Sequence, residues 1–103
     1  MIELETDTLN EILEQNKKVI VQYGAAWCGA CRVIKPQFKG LAGDYEGVTF
    51  LYVDAEKLPE SRKLAQVDNL PTFAGFVDGK LIKQAAGTKI DNVKGVLDEI
   101  ASH

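Results

Sequence analysis

Cysteine is scarce in this chain, with two among 103 residues. Small secreted scaffolds stapled by disulfides usually carry four or more, so such a framework is excluded as the source of stability. Histidine is scarcer still, a single residue at position 103. A structural zinc site needs about four ligands, more than one chain of this composition supplies. Positive charge is not in excess either: 12 Lys and Arg stand against 15 Asp and Glu, a net charge of −3. General nucleic-acid binding would require a basic face. No apolar run approaches the ~20 residues that span a bilayer. The opening MIELETDTLNEILEQ is acidic and amphipathic, unlike a secretory signal peptide. There is no repeat, no low-complexity tract and no linker. Together these absences predict a cytoplasmic protein with no metal site and no nucleic-acid or membrane partner.

What is present suits one domain covering 1–103. Apolar residues make up 46% of the chain and charged residues 26%, ordinary for a globular core with a solvated surface. Helical and strand patterns alternate. Thr8 to Asn16 reads as a helix with Leu9, Ile12 and Leu13 on one face and a capping box from Thr8 and Glu11. Val19-Ile20-Val21-Gln22-Tyr23 is a β-branched run expected to form a buried central strand. A second helix is expected from about Cys28 to Tyr45, with Val33, Ile34, Phe38, Leu41 and Ala42 inward and Pro36 kinking it. Val48 to Val53 reads as a strand, Pro59 to about Gln66 as a short helix. Phe73 to Val77 and Leu81 to Ala86 are strands joined by Asp78-Gly79, a hairpin signal. A last helix, Asp91 to Ser102, presents Val93, Val96, Leu97 and Ile100 together, and Ile2 to Glu5 is a further candidate strand. Crossover units followed by a hairpin predict an α/β fold: a mixed sheet of four to five strands flanked by about four helices.

Both cysteines fall in the stretch YGAAWCGACR, Cys28 and Cys31, separated by Gly29 and Ala30. At the mouth of a helix, residues three apart have Cβ atoms about 5–6 Å apart, close to the spacing of a disulfide. So short a loop constrains the unfolded chain little, which makes the bridge a poor staple and an easily reversed switch. If Cys28 is the N-cap, its sulfur faces the N–H groups of Ala30 and Cys31, and these with the helix dipole favour thiolate. Cys28 is then the nucleophile. Cys31, one turn in, is more buried and resolves the mixed disulfide. Gly29 lets a partner backbone approach, and Trp27 reads as a half-exposed platform before Cys28. Arg32 and Lys35 read as solvated helix residues, and Asp54, Glu56 and Lys57 as a surface turn.

These pieces together resemble the thioredoxin family. The strand VIVQY, the turn AAWCGACR, Pro36 five residues after Cys31, the strand ending Val53-Asp54, Leu70-Pro71-Thr72, the Asp78-Gly79 hairpin, Gly87 and the final amphipathic helix follow the family's order over nearly all 103 residues. The resemblance implies a thioredoxin fold and a protein-disulfide reductase acting by thiol–disulfide exchange through Cys28 and Cys31. It implies a cis bond at Leu70-Pro71 and a docking surface of Trp27, Gly29, Ala30, Leu70, Pro71 and Gly87 around Cys28. It further implies no bound cofactor, reducing equivalents from NADPH through a flavin-dependent thioredoxin reductase, disulfide-containing client proteins, and a monomer.

The sequence departs from the family in three places. Ala30 stands where proline is usual and restores a backbone donor near the Cys28 thiolate, which is expected to make the couple less reducing. Gln22 stands where the family has a buried aspartate, and an amide cannot serve as general base; Gln22 is therefore expected to tune the site, and Gln22→Asp to speed turnover near pH 7. Gly24 replaces a frequent tryptophan, which is expected to leave the site wall open. Two further readings stay available: a disulfide oxidase or isomerase with a less reducing couple, and a thioredoxin-like binding module that does not use redox chemistry.

Overall fold

In a computed structural model, which describes residues 1–103, the elements run β1 (Ile2–Glu3), α1 (Leu9–Gln15), β2 (Lys18–Gly24), α2 (Gly29–Gly40), β3 (Thr49–Asp54), α3 (Pro59–Arg62), β4 (Thr72–Val77), β5 (Lys80–Ala86) and α4 (Ile90–Ala101). The strands form one five-stranded sheet in the order β1-β3-β2-β4-β5. β1, β3 and β2 are parallel, while β4 and β5 add antiparallel. The expected mixed sheet with four helices is thus present. No helix is long and apolar enough to cross a membrane.

Strand β2 holds the centre because every one of its residues from Val19 to Gly24 is buried. Its side chains alternate between faces, as the two-residue period of a strand demands. Val19, Val21 and Tyr23 join Leu9 and Leu13 of α1 with Leu51, Val53, Ala74 and Phe76. Ile20 joins Ile34 and Phe38 of α2, Phe50 and Phe73 of the sheet, and Val93, Val96, Leu97 and Ile100 of α4. The hairpin forms as read: Asp78 and Gly79 take φ of 51° and 80°, the positive pair a tight two-residue turn needs.

Several local expectations are corrected. The Thr8–Glu11 capping box does not form, because the Thr8 hydroxyl bonds Thr6 Oγ1 at 2.9 Å. The free N–H at the start of α1, which is buried, is met from elsewhere in the chain: Leu9 N–H donates to Ser61 Oγ at 3.2 Å. Val33 points to solvent at 70% exposure. The inward stripe of α2 is Cys31, Ile34 and Phe38, and Val33 sits about 100° of helical rotation from Ile34. This helix ends at Gly40 and passes into a 3₁₀ turn, Leu41–Asp44, rather than continuing to Tyr45. α3 is likewise shorter than the span to Gln66, a single turn over Pro59–Arg62.

Candidate functional site

The two cysteines lie where the central strand hands over to a helix. After β2 the chain turns through Ala25 to Cys28, closed by Cys28 N–H donating to Ala25 O at 3.1 Å, and α2 begins at Gly29. Cys28 is the N-cap in extended backbone geometry, and its Sγ accepts the N–H of Cys31 at 3.1 Å. That is one of the two amides the sequence placed there, and the orphan donor of a helix start explains it. Cys28 and Cys31 form a disulfide with Cα atoms 5.3 Å apart. Cys28 keeps 5% of its surface and Cys31 none. Cys28 is thus the less enclosed of the two and the one nearer to an approaching partner.

Around this bridge the structure brings together most of the residues singled out from the sequence. Trp27 stands 65% exposed beside Cys28. Gly29 and Ala30 form the exposed first turn of α2. Leu70 packs against the cluster of Ala25, Cys28 and Cys31. The Leu70-Pro71 bond is cis, and Pro71 O accepts the Gly87 N–H at 2.9 Å, which ties Gly87 to this loop. Thr72 Oγ1 closes the loop by donating to Asn69 O at 2.6 Å. A shallow hollow of about 390 Å³ opens beside Trp27 and Leu70, lined also by Glu56, Arg62, Asp68 and Asn69. Asp54 ends β3 rather than lying in the surface turn expected for it, and it holds that turn by accepting the N–H groups of Glu56 and Lys57.

Beneath the bridge, Gln22 is fully buried, and its Nε2 donates to Cys31 O at 3.0 Å. Gly24 does not leave an open wall. A Cβ there would stand 2.5 Å from the Tyr52 hydroxyl, so the Tyr52 ring already fills the space. Tyr52 sits on β3 in register with Gln22 and carries Lys35 Nζ over its ring, 4.1 Å from the centroid. Lys35 in turn pairs with Glu3 at 2.6 Å. Burial, then the charges of Asp54 and Glu3, push the Tyr52 phenol up. The hydrogen bond from Lys35, then its charge, holds the Glu3 carboxyl below its usual range. Sequence reading missed this trio and took Lys35 as merely solvated. Its only trace was the strand register that places Glu3, Tyr52 and Gln22 side by side, which becomes visible once β1, β3 and β2 are aligned. No group of three or more His, Cys, Asp or Glu side chains is gathered to hold a metal ion.

A cysteine pair at the mouth of the helix that follows the central strand, faced by a cis-proline loop, defines a class: proteins that set a dithiol or disulfide on a thioredoxin fold. Comparison with known proteins narrows it. The thioredoxin family model matches residues 1–99. Thioredoxin H2 of Arabidopsis thaliana is 38% identical over 85 residues, 82% of this chain and 64% of that protein. Thioredoxin-3 of Dictyostelium discoideum is 31% identical over 94 residues, 88% of this chain and 90% of that one. The crystal structure of reduced Schistosoma mansoni thioredoxin pre-protein superposes with a TM-score of 0.88 at 35% identity, covering 96% of each chain. The chain belongs to the thioredoxin family. It spans less than two thirds of the length of the Arabidopsis relative.

Proposed function

We propose that the chain is a thiol–disulfide oxidoreductase that reduces disulfides in partner proteins through Cys28 and Cys31. The observation that carries this reading is the asymmetry of the bridge: Cys28 keeps some exposed surface and its Sγ accepts a helix-terminal N–H at 3.1 Å, while Cys31 is sealed. A hydrogen bond and the positive end of a helix both stabilise thiolate over thiol. In the reduced protein the Cys28 thiolate attacks one sulfur of a client disulfide, forming a mixed disulfide and releasing one client thiolate, which takes a proton from water. Cys31 attacks Cys28 Sγ as its proton passes to the departing client thiolate. The second client sulfur leaves as a thiol carrying that proton, and the Cys28–Cys31 disulfide remains. Two electrons have passed to the client. The chain acts as a single thioredoxin-like domain, a monomer in the cytoplasm, with Trp27, Gly29, Ala30, Leu70, Pro71 and Gly87 forming the docking surface. It binds no cofactor of its own. A flavin-dependent thioredoxin reductase using NADPH restores the dithiol.

The test is equilibration in graded reduced and oxidised glutathione, with thiol alkylation to count free cysteines and Trp27 fluorescence as a second probe. The expected result is one two-electron transition with a midpoint below the glutathione couple, where about 30 mV corresponds to 1.4 kcal/mol. A midpoint at or above that couple would replace reduction by oxidation or isomerisation, the direction that Ala30 favours. Cysteines that fail to pair, together with client binding that survives joint Cys28→Ser and Cys31→Ser substitution, would leave a binding module.

A further inference from the structure

Among the buried side-chain oxygen and nitrogen atoms, one lacks a hydrogen-bond partner: Oε1 of Gln22. Native interiors satisfy nearly all such atoms, so an orphan demands a physical account. Gln22 has no exposed surface, and its Nε2 is committed to Cys31 O at 3.0 Å. That bond also fixes which end of the amide is which, since a carbonyl oxygen takes a donor. The free acceptor therefore belongs to an amide whose other end is bonded to the backbone of Cys31, a residue as fully buried as Gln22 itself.

In the disulfide neither sulfur carries a proton, and the bridge offers Oε1 nothing. Reduction changes the inventory. Two electrons and two protons convert the bridge to two thiols. Cys28, at the helix mouth, can release its proton to water and remain a thiolate. Cys31 has no exposed surface and keeps an S–H, a weak donor that cannot reach water. Reduction thus creates a buried donor on the same residue that the Gln22 amide already contacts, while that amide holds the one buried side-chain acceptor without a partner.

We propose that Gln22 is a positioning residue whose Oε1 accepts the Cys31 S–H in the dithiol, so that this amide favours the reduced protein over the disulfide. The inference rests on the exchange reading above. Gln22 takes up no proton and forms no covalent bond. The electrons come from glutathione or the reductase, and the amide acts only through the energy of one state. Its Nε2 bond is to the Cys31 backbone rather than to a sulfur, so that bond is not consumed by the redox change, whereas the Oε1 bond forms only when Cys31 bears a proton.

The test compares the parent protein with Gln22→Met, which keeps a similar volume but removes the acceptor, in the same glutathione series. The expected result is a tenfold shift of the equilibrium toward the disulfide in the variant, a midpoint about 30 mV lower. A second readout is the infrared S–H stretch of Cys31 in the reduced proteins, expected at lower frequency in the parent, where the thiol is hydrogen-bonded. If Gln22→Met does not fold, Gln22→Asn, which withdraws the amide by one methylene, is read in the same way. An unmoved midpoint with an unmoved stretch overturns the inference while leaving exchange intact. A parent protein with no two-electron transition overturns both.

Discussion

The two faces of the sheet are closed by different means. On one face α2 and α4, 12 residues each, lie over aromatic rings, with the Phe38 centroid 4.9 Å from Phe50 and 5.1 Å from Phe73. On the other face α1 and α3 have 7 and 4 residues. Helices shorter than about 12–15 residues do not stand alone in water, and these two are tied to each other through polar atoms. Asp7, ahead of α1, accepts the N–H groups of Glu60 and Ser61 at 2.9 and 2.7 Å, and Ser61 Oγ returns the favour to Leu9 N–H. Tyr23, fully buried on this face, donates its hydroxyl to Ser61 O at 2.9 Å. Its neighbour Gln22, fully buried on the opposite face, is only half satisfied. Where long helices supply apolar contact, the fold tolerates an unpaired atom next to the cysteines. Where the helices are short, every buried side-chain polar atom is engaged.

Removing a ring from the first face should have the largest effect. Phe38→Ala is expected to cost about 3–5 kcal/mol of unfolding free energy, through lost burial and the cavity left between Phe50 and Phe73. Urea denaturation measures it, and a loss under 2 kcal/mol would mean that α2 collapses into the gap. Cutting the tie on the second face comes next. Ser61→Ala leaves Leu9 N–H without an acceptor, for an expected loss of about 1–3 kcal/mol, together with faster amide exchange through α1. A neutral result would show that water reaches the α1 terminus.

The smallest effects should come from pH, and they should separate the faces. Asp7 is raised by burial, but the hydrogen bonds from Ser61 and from the Glu60 and Ser61 amides outweigh this and hold it below its ordinary 3.8. Its contribution is therefore present above that value and is lost as pH falls through the lower folded value. The Glu60 and Ser61 amide resonances should move together in that acid range. Tyr45 donates to Asp98 of α4 at 2.7 Å, and that bond, ahead of burial and nearby negative charge, raises its phenol to about 12. The contribution is complete below the ordinary 10 and disappears as pH climbs through about 12. Burial raises the Tyr23 and Tyr52 phenols as well, so all three tyrosines should titrate late in tyrosine absorbance, and Asp98→Asn should bring one of them back toward the ordinary range.

Much of the architecture was legible because its signals are local. Asp78-Gly79 carries its own turn geometry, α4 repeats its apolar residues at helical spacing, and β2 is a short β-branched run. The cysteine pair was legible for the same reason, since a spacing of three at a helix start fixes both the bridge and the cap. What escaped depends on partners distant in the chain. Thr8 had the right residues for a capping box, but Ser61, 52 positions from Leu9, supplied the acceptor. Val33 looked inward because it is apolar, although the stripe through Cys31, Ile34 and Phe38 already fixed which side of α2 faced the sheet. Gly24 looked like a gap because Tyr52, on another strand, was not yet beside it.

That last contact couples two positions 28 residues apart into a single steric unit. Position 24 can accept a side chain only if position 52 gives one up, and a smaller residue at 52 creates the room that position 24 lacks. Substitutions at the two sites should therefore be strongly non-additive, each harmful alone and tolerable together. A search of sequence space that varies one position at a time would find both sites closed and miss the exchange that opens them.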